Sequence, residues 1–137
     1  MIYREVKKDI FTMENKYYLA HCISQDCALG AGIAVEFEKR FNLRQKLIRL
    51  NFQFPTCIKI DKVLNFVTKE KCWHKPTYQA INDALWEMRY LVEAEGIKHI
   101  AMPKIGCGLD RLLWSEVKNI INNIFNAVDV EIVVCYL

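Results

Sequence analysis

The chain reads as an α/β protein, a three-layer α/β/α sandwich around a mixed, mostly parallel central sheet. Three observations predict this. Short runs rich in Val, Ile and Tyr alternate with stretches whose apolar residues recur every three or four positions. The strand-like runs are continuously apolar, as in a sheet covered on both faces. Two of them flank Asp61-Lys62 with no room for a crossover helix, so that pair must be antiparallel.

Taken in order, the strands fall at Ile2 to Val6, Tyr17 to Ile23, Cys57 to Ile60, Val63 to Val67, Ile97 to Met102 and Val130 to Tyr136. A first helix follows Gly32, where Ile33, Phe37 and Phe41 recur at four-residue spacing; Leu43 to Leu50 either continues it or forms a second. The clearest helix runs from about Thr77 to Glu95, with Tyr78, Ile81, Leu85, Met88 and Val92 on one apolar stripe. Pro76 beside its start and Gly96 after its end match the asymmetry of helix termini. A last helix near Trp114 to Phe125 turns Val117, Ile121, Ile124 and Phe125 inward, with Ser115 as its expected cap.

At 137 residues the expectation is one domain spanning 1–137, able to fold on its own core. Hydrophobic residues make up 53% and charged residues 26%, the balance of a soluble globular protein, and no run approaches the roughly 20 apolar residues of a membrane span. The first residues, Met1-Ile2-Tyr3-Arg4-Glu5-Val6, lack the sections of a secretion signal, which points to the cytoplasm. Six cysteines without a C-x-x-C pair, mostly inside apolar runs, read as free thiols rather than disulfides or a metal site. A net charge of +3 with scattered basic residues suits a small anionic ligand better than a nucleic-acid duplex.

Two segments carry four of the five glycines: His21-Cys22-Ile23-Ser24 through Gly30-Ala31-Gly32-Ile33-Ala34, and Pro103-Lys104-Ile105-Gly106-Cys107-Gly108-Leu109-Asp110. Each stands where a strand hands over to a helix, a place suited to binding phosphate through backbone N–H groups and the positive end of the helix. A tight turn with packing glycines explains the first segment equally simply, since a lone G-x-G is weak. Asp110 reads either as a turn former or helix cap or as a catalytic carboxylate. Between the segments lies a polar loop, Thr68-Lys69-Glu70-Lys71-Cys72-Trp73-His74-Lys75-Pro76-Thr77-Tyr78. A lysine there is an ordinary solvated charge unless it is held against a sugar carbon, where its neutral amine becomes a nucleophile. His74 and His99 read as structural, with nothing beside them to complete a triad.

At these residues the chain resembles a macrodomain. The first glycine segment, Thr68-Lys69 with His74-Lys75-Pro76-Thr77-Tyr78, and Met102 through Arg111-Leu112 with Trp114 are similar, in order, to the ALC1-like class, and within it to the terminal ADP-ribose protein glycohydrolase group. The resemblance implies a domain that binds ADP-ribose and acts on ADP-ribosylated proteins, hydrolysing ADP-ribose ester-linked to Glu or Asp and deacylating O-acetyl-ADP-ribose. It implies Lys69 as the nucleophile at the anomeric carbon and Asp110 as the residue that resolves the lysyl–sugar adduct. It places Asp9 and Ile10 at the adenine. Ser24, Gly30, Gly32 and Ile33 then surround the distal ribose and diphosphate, with Thr68, Ile105, Gly106, Cys107, Gly108 and Leu109 completing the site. No cofactor and no metal are implied, and a monomer is expected. The family commonly has glycine where this chain has Lys8, and its C-terminal aromatic is shifted or replaced around Cys135-Tyr136. Two other readings remain at this point: a DNA ADP-ribosyl hydrolase of antitoxin type, and a non-catalytic ADP-ribose reader.

Overall fold

The computed structural model describes residues 1–137. Six strands form one sheet: β1 (Ile2–Lys7), β2 (Tyr18–Ser24), β3 (Thr56–Ile60), β4 (Val63–Lys69), β5 (His99–Met102) and β6 (Glu131–Tyr136). Their spatial order is β1-β6-β5-β2-β4-β3, and every neighbouring pair is parallel except β3 with β4. The turn between that pair is made at Asp61, in the left-handed region at φ 51, a conformation Asp tolerates. The predicted mixed sheet is therefore present with its one antiparallel pair.

Side chains alternate between two cores, as the period of a strand requires. On β4, Leu64 and Phe66 join a core of 21 buried residues beneath two helices, α3 (Tyr78–Glu95) and α4 (Trp114–Phe125). Val63 and Val67 face a core of 14 beneath α1 (Ile33–Phe41) and α2 (Leu43–Leu47). On β6, Ile132 and Val134 go to the first core, and Val133 and Cys135 to the second. These are the outer layers of the expected sandwich.

Local chemistry sets the helix ends. The Thr77 hydroxyl accepts from the Ala80 N–H at 3.0 Å to start α3, and Gly96 ends it at φ 65. Four residues of the predicted stripe, Ile81, Leu85, Met88 and Val92, are buried, but Tyr78 turns outward and its hydroxyl accepts from the Leu113 N–H at 3.0 Å. Asn42 at φ 51 separates α1 from α2, and the Glu38 carboxylate accepts from the Arg44 N–H at 2.8 Å, so the segment after Phe41 is a second, short helix. Ser115 does not cap α4. Leu113 holds the cap position without a side-chain bond, because the Tyr78 bond and the Trp114 indole, which donates to Glu5 at 3.1 Å, anchor the helix start by tertiary contacts. The periodicity also missed a 3-10 turn over Ile10–Thr12, which Asp9 caps by accepting from the Phe11 N–H at 3.0 Å.

Under the second core His21 is wholly buried and stacks on Phe37 with ring centres 3.9 Å apart. The Asn65 amide donates to the Ile58 carbonyl at 3.0 Å, which turns its oxygen toward His21 Nε2 at 2.7 Å; that nitrogen therefore carries the proton. Burial lowers the His21 pKa to about 4, so the ring is a neutral brace between β2, β4 and α1. His99 is likewise structural, its Nδ1 2.9 Å from the Glu131 carboxylate.

Candidate active site

Strands β5, β2 and β4 lie side by side and parallel, so the loops that follow them leave the same edge of the sheet. From β5 the chain returns through α4 to β6 on one side; from β2 it passes through α1 and α2 to β3 and β4 on the other. Such divergence opens a crevice at the strand ends. A cavity of about 530 Å³ lies there, lined from the first glycine segment by Ala31, Gly32, Ile33 and Ala34 and from the second by Ile105, Gly106, Gly108, Leu109 and Asp110. A second cavity, of about 640 Å³, lies at the ends of β1 and β6 and includes Asp9, Ile10, Phe11, Arg40 and Tyr136. Ile33, Pro103, Lys104 and Gly108 line both, so the two are lobes of one cleft.

The glycine segments form facing walls, as their positions in the sequence suggested. A Cβ built on Gly32 would lie 3.5 Å from Leu109 Cδ1. Only one glycine of each segment needs its freedom: Gly32 at φ 60, where α1 begins, and Gly106 at φ 75. Cys27, Leu29 and Arg111 also occupy the left-handed region in these loops, a concentration of backbone strain of the kind found around functional sites.

Lys69 ends β4 and reaches across the cleft to Asp110, with Nζ 2.9 Å from Oδ1. Their side chains are only 16% and 14% exposed. Asp110 is therefore neither a helix cap, since Leu113 holds that position on α4, nor a solvated turn residue. A second bridge joins the same two loops: the Lys75 ammonium donates to the Leu109 carbonyl at 2.9 Å. Cys22 also lines this lobe, but burial, reinforced by the Asp110 charge, pushes its thiol up to about 12. It is a protonated wall residue rather than a nucleophile.

Asp26 clasps the loops from behind. Its Oδ1 accepts from the Ser24 hydroxyl at 2.5 Å and the Ala28 N–H at 3.2 Å, while Oδ2 accepts from the Cys72 N–H at 2.9 Å. Burial opposes ionisation of Asp26, but these bonds outweigh it and hold the carboxyl below its usual range. The backbone continues the clasp, with Gln25 N–H donating to the Lys69 carbonyl and Asp26 N–H to that of Glu70. The lysine is thus carried on a segment zipped to the first glycine loop.

Of the residues expected at the site, Lys69, Asp110, Gly32, Ile33, Ile105, Gly106, Gly108 and Leu109 line the first lobe. Asp9, Ile10 and Cys107 line the second, which Ile33 and Gly108 also touch. Ser24, Gly30 and Thr68 line neither lobe. Ser24 is buried in the Asp26 clasp, Thr68 is buried beside Lys69 with the opposite orientation of the next strand residue, and Gly30 is exposed on the loop. Lys8, where the family commonly has glycine, is not among the residues with positive φ, and its N–H donates to the Tyr136 carbonyl at 2.8 Å. Its side chain therefore fits the turn.

Sequence reasoning missed Trp73 and Lys75 in the first lobe and Phe11, Arg40 and Lys104 in the second, where Tyr136, at the place expected for the shifted C-terminal aromatic, also lies. Helical spacing was a usable signal for one of them, since Arg40 lies seven residues after Ile33 on the same face of α1. Lys104 places its ammonium 4.9 Å from the centre of the Tyr136 ring, and the Arg40 guanidinium lies 4.4 Å from that of Phe11.

The Macro domain family model matches residues 52–121, and the chain belongs to the macrodomain family. It is 38% identical over 133 residues to the human ADP-ribose glycohydrolase OARD1, a match covering 94% of this chain and 88% of the human one; the bovine protein matches equally. Among solved structures, the macrodomain of Thermus aquaticus DarG superposes with a TM-score of 0.89 at 22% identity, covering 99% of both chains. Thermosipho africanus DarTG, solved in complex with ADP-ribose, superposes with a TM-score of 0.79 at 19% identity over 96% of this chain and 40% of its own. At those identities the structures share the fold.

Proposed function

We propose that this macrodomain is an ADP-ribosyl hydrolase that removes mono-ADP-ribose ester-linked to glutamate or aspartate side chains, and that it also deacylates O-acetyl-ADP-ribose. The observation that carries this reading is the Lys69–Asp110 contact, 2.9 Å long and largely shielded from water, on the wall of a two-lobed cleft. Binding alone requires no amine paired with a carboxylate at that place. The similarity to a protein named ADP-ribose glycohydrolase over most of both chains supports the same reaction class.

In this reading the adenine occupies the second lobe. Asp9 uses one oxygen to cap the 3-10 turn and keeps the other for the exocyclic amine, between the rings of Phe11 and Tyr136. The diphosphate lies where both lobes meet, against the free N–H groups that begin α1 at Ile33 and those of Gly106 and Gly108, with Lys104 close by; the Cys107 N–H is already given to the Lys104 carbonyl at 3.2 Å. The distal ribose then meets Lys69 and Asp110.

The chemistry proceeds in two steps. Lys69 first loses a proton, which Asp110 is placed to accept; the amine nitrogen then bonds to the anomeric carbon while the carbon–oxygen bond to the acyl group breaks. The carboxylate leaves with the bonding pair and needs no acid. Asp110 gives that proton up to solvent; in the second step it takes a proton from a water whose oxygen bonds to the same carbon as the carbon–nitrogen bond breaks, the lysine nitrogen keeps the bonding pair, and Asp110 passes the proton to it. The products are ADP-ribose and the free side chain.

The test incubates wild type and Lys69→Ala with ester-linked ADP-ribosylated protein and with ADP-ribosylated DNA. Release from protein by wild type, reduced about a thousandfold or more in Lys69→Ala with ADP-ribose binding retained, is expected. Release from DNA alone would replace this reading with the antitoxin-type one. Equal binding by both proteins with release by neither would leave a reader.

A further inference from the structure

One end of the cleft has no work to do for ADP-ribose. Along its length come the Asp9 lobe, the residues common to both lobes, and then the lobe of Lys69 and Asp110. That last lobe also contains Trp73 and Leu109, which are 72% and 63% exposed; neither side of the Asp9 lobe includes them. Trp73 meets His74 edge-on, with ring centres 5.7 Å apart and planes at 76°, an arrangement that leaves an indole face in water. The Lys75 bond to the Leu109 carbonyl ties the two loops together, so both apolar groups are held at the same mouth.

We infer that Trp73 and Leu109 form a subsite for the polypeptide that carries the modified carboxylate. This rests on the ligand orientation given under Proposed function. If the distal ribose meets Lys69, whatever is bonded to its anomeric carbon must leave through the Trp73 end. A tryptophan offers a large rigid surface at little entropic cost, which is why exposed tryptophans on a binding rim so often anchor a partner. The loop also supplies charge: Lys71 and Lys75 outnumber Glu70, which suits a segment rich in the acidic residues that accept ADP-ribose. Trp73 touches no reacting atom in this scheme and acts as a specificity-determining residue.

The substrates themselves provide the test. Trp73→Ala should raise KM for an ester-linked ADP-ribosyl peptide about tenfold with kcat little changed, and Trp73→Phe should recover most of the loss. O-acetyl-ADP-ribose, whose acetate is too small to reach the rim, should keep its kcat/KM within about twofold. Calorimetric binding in the Lys69→Ala background should show the same split: weaker peptide, unchanged ADP-ribose. Equal losses on peptide and free ADP-ribose, or no loss on the peptide, would overturn the subsite. If Trp73 proves to strengthen peptide binding while wild type hydrolyses neither ester, the subsite stands and the catalytic reading fails.

Discussion

Replacing Asp26 with Asn tests whether the clasp behind the cleft holds Lys69 in place. The carboxylate accepts three hydrogen bonds, from the Ser24 hydroxyl and from the Ala28 and Cys72 amides. An asparagine oxygen can replace Oδ1 and keep the first two, but its NH2 then confronts the Cys72 N–H, donor against donor. One hydrogen bond to a charged acceptor is lost, worth about 1.5–3 kcal/mol, and two others weaken to neutral strength. Because Asp26 is half-buried, the lower part of that range applies, for a total of about 2 kcal/mol, or a fall in Tm of roughly 6–10 °C in a chain of this size. Lys69 remains held by the Gln25 bond to its carbonyl, so kcat should drop only about tenfold, through loosened positioning. The pH dependence separates clasp from generic damage. Asp26 has a folded pKa below its ordinary 3.8, so its contribution is complete above that value and is lost as pH falls from there through the lower folded pKa. The Tm difference between wild type and Asp26→Asn should therefore begin to shrink below about pH 4 and narrow progressively in stronger acid. A variant with wild-type Tm and kcat at pH 7, or a Tm difference that persists undiminished into acid, would refute the reasoning.

Three further outcomes are expected. Asp110→Ala should accumulate a covalent adduct of one ADP-ribosyl group on Lys69, visible by intact mass under turnover; absence of the adduct would count against the two-step route. Gly106→Ala should destabilise the fold by about 2 kcal/mol in chemical denaturation, because the residue sits at φ 75 and a Cβ would lie 2.9 Å from Leu112 Cδ1 and 3.4 Å from Ile81 Cδ1. His21, lowered from 6.5 to about 4, contributes stability above pH 6.5 that is lost as pH falls toward 4, in total about 3 kcal/mol; urea titrations from pH 7 to 4 should show that slope in wild type and lose it in His21→Gln.

The strands and the two long helices were readable because burial imposes a period on the sequence. Ile81, Leu85, Met88 and Val92 repeat as a helix must, and the valine-rich run of β6 is apolar throughout because Ile132 and Val133 face different cores. The predictions that failed were those in which tertiary contacts overrode a local signal. Ser115 has the chemistry of a cap, but Tyr78 holds Leu113 and Glu5 holds Trp114, which sets the cap position two residues earlier. Tertiary contacts also engage Ser24, whose hydroxyl donates to Asp26 and which lines neither lobe. Periodicity could not reveal the 3-10 turn after Asp9, which is too short to repeat.

By itself the sequence determined the layers, the strand-to-helix position of both glycine segments and the lysine-bearing loop between them, since each follows from local period and residue chemistry. Only the tertiary structure decided that Lys69 and Asp110, 41 positions apart, stand 2.9 Å from one another. That distance depends on β5, β2 and β4 lying side by side, on the Asp26 clasp, and on the Lys75 strap. Which strands become neighbours is set by how two cores pack on one sheet, and so is not written in any single stretch of chain. Trp73 makes the same point: in sequence it is one aromatic in a polar loop, and the fold sets it at the mouth of the cleft beside the lysine.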